Sequence, residues 1–192
     1  SIWMTGSYDP QLNLTYWGVG NVGPDYNGAQ RPGDNLYTDS VVALDVDTGK
    51  LKWHYQFTPH DVYDYDSVQV PVLVDNWGRT GIDALVWANR NGNFYALDRA
   101  TGKFLLGKPF VKVNWMSEFD ERGRPKQTPQ PDGQPTYPGN QGGTNWAVGG
   151  ANTGIDSAGQ LGEIPSIHTQ ITRYLTATGG RNSNVLVTAI GT

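Results

Sequence analysis

Short apolar and aromatic runs, separated by clusters of turn-forming residues, dominate the chain. The runs occupy residues 14–20, 40–46, 69–75, 84–90 and 93–98. The stretches between them contain Asp-Thr-Gly, Asn-Gly and Arg-Pro-Gly-Asp-Asn, which favour tight turns. Apolar residues at helical spacing are scarce by comparison. The pattern therefore predicts an all-β fold built from many short strands.

One segment is repeated within the chain. ALDVDTGKLKW at residues 43–53 matches ALDRATGKFLL at residues 96–106, a separation of 53 residues. In each copy a strand ends in Asp, and a turn closes on Thr-Gly, where Gly can adopt a positive φ. The first copy continues into Trp53, which is available for packing. A repeat of about 40–50 residues made of short strands is typical of a β-propeller. The alternative is a chance pair of similar hairpins.

Composition and charge argue against several classes of function. The 192 residues carry a formal net charge of −4 and no basic stripe, so we do not expect a nucleic-acid partner. No apolar run approaches the ~20 residues that span a bilayer. The first ten residues lack the basic and apolar regions of a signal peptide. Because the chain has no Cys, it has no disulfides and no thiolate metal sites, and the compartment stays open.

The stretch TPHDVYDYDSVQ contains three carboxylates, Asp61, Asp64 and Asp66, within six positions. Their mutual repulsion must be offset by a cation, a proton or open water. In a locally extended chain, residues two apart point to the same side at about 6–7 Å. Asp64 and Asp66 can therefore close on one cation. We expect Asp61 instead to fix the turn by accepting hydrogen bonds from nearby backbone.

The pattern Ala-x-Asp-x-x-Thr-Gly-x-x-x-Trp at residues 43–53 resembles the tryptophan-docking repeat of the eight-bladed quinoprotein alcohol dehydrogenases. The second copy keeps this pattern except that Leu106 replaces Trp. Other stretches resemble the family in the same order: YDPQLNLTYWGVGN, RPGDN, TPHDVYDYD, NRNGNFYALDR and GGTNW. The resemblance covers residues 1–146 and implies part of an eight-bladed β-propeller, with two to three blades of four-stranded antiparallel sheet. Residues 147–192 show no docking repeat and are expected to form an unassigned tail of strand or loop.

The resemblance implies a binding site for pyrroloquinoline quinone (PQQ) above a metal ion. Trp3 matches the Trp on whose face the PQQ ring lies, an arrangement that offset stacking favours. Arg90 matches the basic residue that donates to the quinone oxygens, where a cation stabilises the charge of the reduced ring. Asn145 and Trp146 match a pair at the rim of the cofactor. The alternatives are a core tryptophan near a chain end and a surface arginine in an Asn-Gly turn.

The same resemblance implies the metal ligands and the catalytic base. Asn21 matches the residue whose amide oxygen binds the metal, and Asp64 matches the aspartate that lies at the metal and takes the hydroxyl proton. Asp66 stands where calcium-dependent members have a small residue and lanthanide-dependent members have Asp. The implied metal is therefore a lanthanide(III) ion or Ca2+, because a trivalent ion can balance one more carboxylate. The alternative for Asp66 is a turn cap before Ser67.

The implied activity is PQQ- and metal-dependent oxidation of a primary alcohol to an aldehyde, with a cytochrome c as electron acceptor in the periplasm. No Cys-x-x-Cys-His motif occurs, so the haem is expected on another protein. An eight-bladed propeller needs roughly 500 residues. The chain is therefore expected to be a fragment, or to be completed by copies of itself or by another chain. Two alternatives stay open: a non-catalytic propeller scaffold with the same repeat, and a β-module that only binds a cation.

Overall fold

Two four-stranded antiparallel sheets make up most of the structure, a computed structural model that describes residues 1–129 and 133–145 and the backbone of 152–155 and 161–164. The first sheet contains β1 (Ser7–Asp9), β2 (Leu14–Val19), β3 (Ser40–Asp45) and β4 (Leu51–Gln56). The second contains β5 (Val72–Val74), β6 (Ala84–Ala88), β7 (Asn93–Asp98) and β8 (Phe104–Pro109). In both sheets the strands pair in sequence order, as in the blade of a propeller.

Smaller elements connect and follow the two sheets. They are the hairpins β9 (Met116–Phe119) with β10 (Pro125–Gln127) and β11 (Asn152–Ile155) with β12 (Leu161–Ile164), and two 3-10 turns, Gly28–Gln30 and Trp77–Arg79. Within the described ranges there is no α-helix, and no helix there is long and apolar enough to cross a membrane. The prediction of an all-β fold with four-stranded antiparallel sheets is confirmed.

Four of the five predicted strands form over most of their length, as β2, β3, β6 and β7. The fifth, predicted over 69–75, pairs only as β5. Pro71 has no N–H to contribute to a ladder, and the buried Gln69 side chain accepts the Trp87 indole N–H at 2.8 Å. The stretch 115–143 contains the hairpin β9–β10.

The repeated Asp-x-x-Thr-Gly turns share two hydrogen bonds in both sheets. Asp45 Oδ1 accepts the Thr48 N–H at 2.9 Å, and Asp98 Oδ1 accepts the Thr101 N–H at 3.0 Å. The glycine that follows donates its N–H to the Asp carbonyl at 2.8 Å in each copy, and has a φ of 68° or 73°. Glycine enters this region without steric cost, so each turn can join the third and fourth strands of its sheet tightly.

Trp53 on β4 docks on the turn of the second sheet. Its ring lies so close to Gly102 that a Cβ there would be 2.6 Å from Cε3. Its indole N–H donates to the Arg99 carbonyl at 3.2 Å, and the Tyr16 hydroxyl donates to the same carbonyl at 2.9 Å. The repeat therefore acts between sheets, because the Trp of one copy contacts the turn of the next.

Large side chains fill the space between the two sheets. The first sheet contributes Leu14, Tyr16, Val41, Ala43, Trp53 and Tyr55, and the second contributes Leu85, Trp87, Tyr95 and Leu97. Phe57, just after β4, packs on Trp87 and Tyr95 with ring centroids 5.1 and 4.8 Å away. Full burial of one such side chain is worth about 1.5–3 kcal/mol. This core therefore holds the two sheets face to face.

A buried arginine also joins the sheets, directly after β7. Arg99 is 5% exposed, and its Nε forms an ion pair with Asp9 of β1 at 2.7 Å. It reaches Asp75 at 2.6 Å and Asp83 at 3.3 Å, whose side chains are 68% and 42% exposed. We call these four residues the Arg99 cluster. Because Asp9 belongs to the first sheet and the others to the second, the cluster links the two.

The segment between β4 and β5 carries the acidic stretch. Tyr65, in the middle of this stretch, is fully buried. Its ring centroid lies 5.2 Å from that of Tyr63 and 5.8 Å from that of Trp115. Its hydroxyl donates to the Pro138 carbonyl. Burial of this ring anchors the backbone from which the neighbouring aspartates project.

Candidate metal and cofactor site

Asp64 and Asp66 share one cationic partner. The Arg90 guanidinium reaches Asp64 Oδ2 through Nη2 at 3.2 Å and Asp66 Oδ2 through Nη1. The side chains of Asp64 and Asp66 are 21% and 10% exposed. Asp64 has a φ of +65°, a conformation that non-glycine residues adopt mainly at strained or functional positions. The two carboxylates thus converge at one partly buried point.

Arg90 follows β6 and is held by the segment 139–145. Its Nε donates to the Asn140 carbonyl at 2.8 Å, and its own carbonyl accepts the Gly143 N–H at 2.9 Å. Gly142 lies so close that a Cβ there would be 2.5 Å from the Arg90 carbonyl oxygen. The guanidinium is therefore fixed in place before any ligand arrives, which is the arrangement that makes a charged group effective in catalysis.

Asn21, two residues after β2, lies beside Asp66. Its backbone N–H donates to Asp66 Oδ1 at 2.8 Å, and its Nδ2 donates to Asp25 Oδ1 at 3.2 Å. Within the described part of the chain no hydrogen bond uses the amide oxygen of Asn21. That oxygen is available to a cation, and hard cations bind amide oxygens.

Trp3 packs next to the carboxylates across Gly20. A Cβ at Gly20 would lie 2.5 Å from Trp3 Cζ3 and 2.7 Å from Asp66 Oδ1, so only glycine allows this approach. Trp3 is 46% exposed. The site therefore has an indole surface, open to a flat ligand, directly beside its acidic centre.

The surroundings of Asp64 shift its proton affinity in opposing directions. Burial raises the pKa of its carboxyl above the ordinary value, and the charge of Arg90 lowers that pKa. The charges of Asp66 and Asp25 raise the pKa again, and a hydrogen bond with the Tyr26 side chain lowers it. Burial combined with a specific charge partner is typical of groups that exchange protons in catalysis.

Asp61 is buried beneath the site. It is 1% exposed, and its two carboxylate oxygens accept the N–H groups of Tyr63 and Tyr65, both at 2.9 Å. The predicted role of Asp61 in fixing the turn is thus confirmed. Burial raises the pKa of Asp61 to about 6, although the two N–H groups act to lower it.

Asp39, immediately before β3, is a second buried carboxyl. It is fully buried, and neither oxygen has a hydrogen-bond partner among the described residues. The nearby Thr38 hydroxyl donates to the Asn35 carbonyl at 2.7 Å instead. Burial and the charges of Asp61 and Asp66 raise the pKa of Asp39 well above its usual range. Burial therefore disfavours the ionised forms of Asp61 and Asp39, and a multivalent cation nearby would favour those forms.

The donor set suits a hard cation but does not complete its shell. Asp64 and Asp66 offer carboxylate oxygens and Asn21 offers an amide oxygen, whereas Ca2+ takes about 6–8 oxygen ligands. In the part of the chain that the structure describes, no group of three or more His, Asp or Glu side chains could hold a metal ion. The residues present fit part of such a site. Further ligands would come from the cofactor, from water or from a longer protein.

Among the residues of this site that were not predicted are Asp25, Tyr26 and Asn140. Asp25 and Tyr26 lie in the loop between Asn21 and the RPGDN stretch, and that location was the only available signal. Asn140 acts through its carbonyl, a group that every residue carries, so no side-chain pattern could have revealed it.

Of the two predicted rim residues, the structure describes only Asn145. Asn145 ends the segment that holds Arg90, and its Nδ2 donates to the Gln141 carbonyl at 3.2 Å. Trp146 lies outside the described residues. By contrast, the structure brings five predicted residues together: Trp3, Asn21, Asp64, Asp66 and Arg90.

Two meander sheets packed face to face, with an oxygen-rich acidic site beside them, define part of a β-propeller protein. The chain belongs to the PQQ glucose/ethanol/alcohol dehydrogenase family, whose β-propeller domain profile matches residues 1–114. This match covers more than half of the chain and confirms the family predicted from the docking repeat and its accompanying motifs.

Relatives and solved structures agree with this family. The chain is 48% identical to the quinoprotein alcohol dehydrogenase PedH of Pseudomonas putida, over 64% of this chain and 21% of the relative. It is 42% identical to a quinohemoprotein alcohol dehydrogenase of Comamonas testosteroni, over 76% of this chain and 22% of the relative. A europium-containing methanol dehydrogenase superposes with a TM-score of 0.71 and 38% identity, covering 76% of this chain and 27% of that chain. The chain thus spans about a fifth of the length of these curated relatives.

Proposed function

We propose that the chain supplies part of the active site of a PQQ- and metal-dependent enzyme that oxidises a primary alcohol to an aldehyde. The observation that carries this proposal is the single Arg90 guanidinium that joins Asp64 to Asp66. Asn21 and Trp3 flank the same carboxylates. These residues come from four separate parts of the chain, and a scaffold would not need them at one point.

Each residue has a role in the proposed site. Asn21, Asp64 and Asp66 would bind the cation through oxygen atoms. Trp3 would lie against the PQQ ring with its exposed indole surface. Arg90 would hold the Asp64 carboxylate and donate to the quinone oxygens. Asn145 and Trp146 are proposed at the rim of the cofactor, on the resemblance alone.

Asp64 is the proposed general base. When bound, PQQ would serve as the acceptor of a hydride (a proton with two electrons) from the alcohol carbon, and the cation would make its quinone carbonyl more electrophilic. The Asp64 carboxylate takes the hydroxyl proton of the alcohol, which leaves an aldehyde. The Arg90 guanidinium lies 3.2 Å from Asp64 Oδ2. Its charge lowers the pKa of Asp64 and favours the ionised carboxylate, whereas burial raises that pKa and favours the protonated form. The two influences keep the group able to accept a proton and to release it again.

A lanthanide(III) ion is the proposed metal, with Ca2+ as the alternative. Asp66 adds a second carboxylate two residues from Asp64. This excess of negative charge favours a trivalent ion over a divalent one, because the ion must balance more carboxylates. The similarity of the chain to a europium-containing methanol dehydrogenase is consistent with this choice.

The wider setting follows from the resemblance. We propose that electrons pass from the reduced cofactor to a cytochrome c, and that the enzyme works in the periplasm. A small alcohol is the proposed substrate, and the remaining blades would come from a longer protein, from further copies of this chain or from another chain.

Metal binding and PQQ binding test the proposal in the chain itself. We expect Tb3+ to bind with sensitised luminescence and to be displaced by La3+ more readily than by Ca2+. Asp66→Ala should weaken La3+ binding and leave Ca2+ binding less affected, since a trivalent ion loses more from the missing charge. Glu118→Gln removes an exposed carboxylate, 64% exposed and paired with Lys126, and should change neither affinity.

Activity is the second measurement. Dye-linked alcohol oxidation with PQQ and La3+ should appear when the chain is completed by its missing blades, and should be lost in Asp64→Asn. Cation binding without any PQQ binding would replace the proposal by a module that only binds a cation. Absence of both kinds of binding would leave a non-catalytic scaffold.

A further inference from the structure

The backbone of Asp64 is held on both sides by one carboxylate. Asp64 lies between Tyr63 and Tyr65, whose N–H groups donate to Oδ1 and Oδ2 of Asp61, respectively. Asp64 itself has a φ of +65°, and such a conformation persists only where the surroundings enforce it. Because Asp61 is 1% exposed, water cannot easily compete for these bonds. We call this arrangement the Asp61 bracket.

Arg31 holds the backbone of the Asp61 bracket. Its Nη2 donates to the Asp61 carbonyl, and also to the Asp25 carbonyl at 3.0 Å. Its Nε donates to the Pro24 carbonyl at 3.1 Å, and its Nη1 donates to Asn35 Oδ1 at 2.8 Å. Arg31 is 9% exposed, so its guanidinium is enclosed by the acceptors that it binds.

The guanidinium of Arg31 joins three segments that line the site. They are the loop that carries Asp25 and Tyr26, the RPGDN stretch and the acidic stretch. The acceptors in these contacts are backbone carbonyls and an amide oxygen, none of them charged. The planar arrangement of donors in arginine can satisfy several such acceptors at once, whereas the compact ammonium group of lysine cannot do so in the same geometry.

We propose that Arg31 and Asp61 are positioning residues, which hold Asp64 and the neighbouring wall formed by Asp25 and Tyr26 in the geometry that binds the metal. This inference rests on the proposed function of Asp64. Neither residue needs to touch the metal, the cofactor or the substrate. Replacement of residues that orient metal ligands through hydrogen bonds typically costs about 10–100-fold in metal affinity or activity.

Amide hydrogen exchange tests the bracket without cofactor, metal or activity. In Arg31→Lys, which keeps the charge but loses the planar donors, and in Asp61→Ala, we expect the Tyr63 and Tyr65 amides to exchange at least about tenfold faster. The Leu85 amide, in β6 of the second sheet, should keep its rate and so verify the fold. Unchanged rates at both tyrosines would overturn the inference.

A milder variant decides the case in which the first variants unfold. Faster exchange at Leu85 as well would show that the fold is lost. Asp61→Asn keeps one acceptor oxygen, so it should accelerate exchange at Tyr63 or Tyr65 while Leu85 stays protected. No acceleration at either tyrosine in this folded variant would contradict the bracket.

Tb3+ luminescence gives an independent measurement of positioning. Arg31→Lys should weaken Tb3+ binding about tenfold. Arg124→Lys is the matched control: Arg124 is also paired in this region, with Asp34 at 2.6 Å, but its side chain is 50% exposed. Exposed pairs contribute little, so this variant should stay within about twofold of the unmodified chain. Equal loss in both variants, or loss in neither, would overturn the positioning role.

The two proposals fail in distinguishable ways. If the unmodified chain does not bind Tb3+, the proposed metal site is wrong. The exchange rates at Tyr63 and Tyr65 then still decide whether Arg31 and Asp61 hold Asp64.

Discussion

Arg90 and Arg99 stand at opposite ends of β7 and gather aspartates in different ways. Arg99 pairs with one buried carboxylate, Asp9, and with two carboxylates that are 68% and 42% exposed. Arg90 pairs with Asp64 and Asp66, which are only two residues apart and are 21% and 10% exposed. The two clusters use the same residue types, so the difference lies in burial and in spacing along the chain.

That difference separates a structural cluster from a functional one. Around Arg99, water reaches two of the three carboxylates and screens their repulsion. Around Arg90, the carboxylates are mostly buried, and the buried Asp61 and Asp39 lie beneath them. Arg90 supplies one positive charge for the two carboxylates that it contacts. The first cluster ties two sheets together, whereas the second is arranged to receive a cation.

The largest expected effect comes from the carboxylate proposed as base. Asp64→Asn should lower kcat for alcohol oxidation about a thousandfold in the PQQ- and La3+-loaded enzyme completed by its missing blades, because the amide cannot take the hydroxyl proton. Asp75→Asn, in the Arg99 cluster, changes an exposed carboxylate in the same way and should leave kcat nearly unchanged. Comparable losses of kcat in the two variants would erase the distinction between the clusters.

The Arg99 cluster should matter for stability instead. Arg99→Met leaves Asp9 buried without its ion-pair partner, and we expect the free energy of unfolding to fall by about 3 kcal/mol. Urea denaturation measures this change. The matched variant Lys126→Met removes an exposed partner of Glu118 and should change stability by less than about 1 kcal/mol. A loss in Arg99→Met no greater than that would show that the sheets do not depend on this link.

Replacement of a buried carboxyl without hydrogen-bond partners beside the Arg90 site should be stabilising. Asp39→Asn replaces a fully buried carboxyl that has no hydrogen-bond partner among the described residues, and we expect a gain of about 1 kcal/mol at neutral pH. Asp45→Asn is the contrasting control, since Asp45 accepts the Thr48 N–H and its pKa is lowered to about 2 by hydrogen bonds with Thr48 and Lys52. Asp45→Asn should lower the free energy of unfolding. A stability change of the same sign in Asp39→Asn and Asp45→Asn would contradict the prediction.

A further expected effect is a slope of stability with pH. Burial raises the pKa of Asp61 to about 6 in the folded chain, whereas in the unfolded chain it titrates near about 4. The unfolded state therefore releases its proton first, and the metal-free chain should lose stability as pH rises from about 4 to 6. Urea denaturation at several pH values measures this slope, which should flatten in Asp61→Asn. A stability that rises over the same interval would show that the carboxyl is not shifted upward.

Much of the fold could be predicted because its determinants are local. The Asp-x-x-Thr-Gly turns specify their own hydrogen bonds, so both hairpins and the docking of Trp53 follow from the repeat. Gln69 could not be placed, because its partner Trp87 is 18 residues away and belongs to another strand. Strand β5 is shorter than its apolar pattern because Pro71 has no N–H for a ladder and the Gln69 side chain is bonded to Trp87.

Within the site, the residues that could be predicted were those that lie in a recognisable sequence motif. Asp64, Asp66 and Arg90 could be recognised by their sequence surroundings, and the structure brings them into contact. Arg31 and Asp39 could not, since the burial of one and the missing partners of the other arise only when three distant segments meet. The sequence shows which chemical groups are present, whereas the protonation and orientation of these groups depend on how the distant segments pack together.

Leu106 occupies the position in the second repeat that Trp53 occupies in the first. Trp53 joins the two sheets through a hydrogen bond from its indole N–H to the Arg99 carbonyl, whereas a leucine side chain has no N–H to donate. Leu106 packs on the other face of the second sheet, with Val86, Phe94 and Ala96. The second sheet is therefore tied by a hydrogen bond on the face that Trp53 contacts, whereas the face that carries Leu106 has no such bond from this position. If a complete propeller were pulled apart by force, we would expect neighbouring sheets to separate first at the face that carries Leu106.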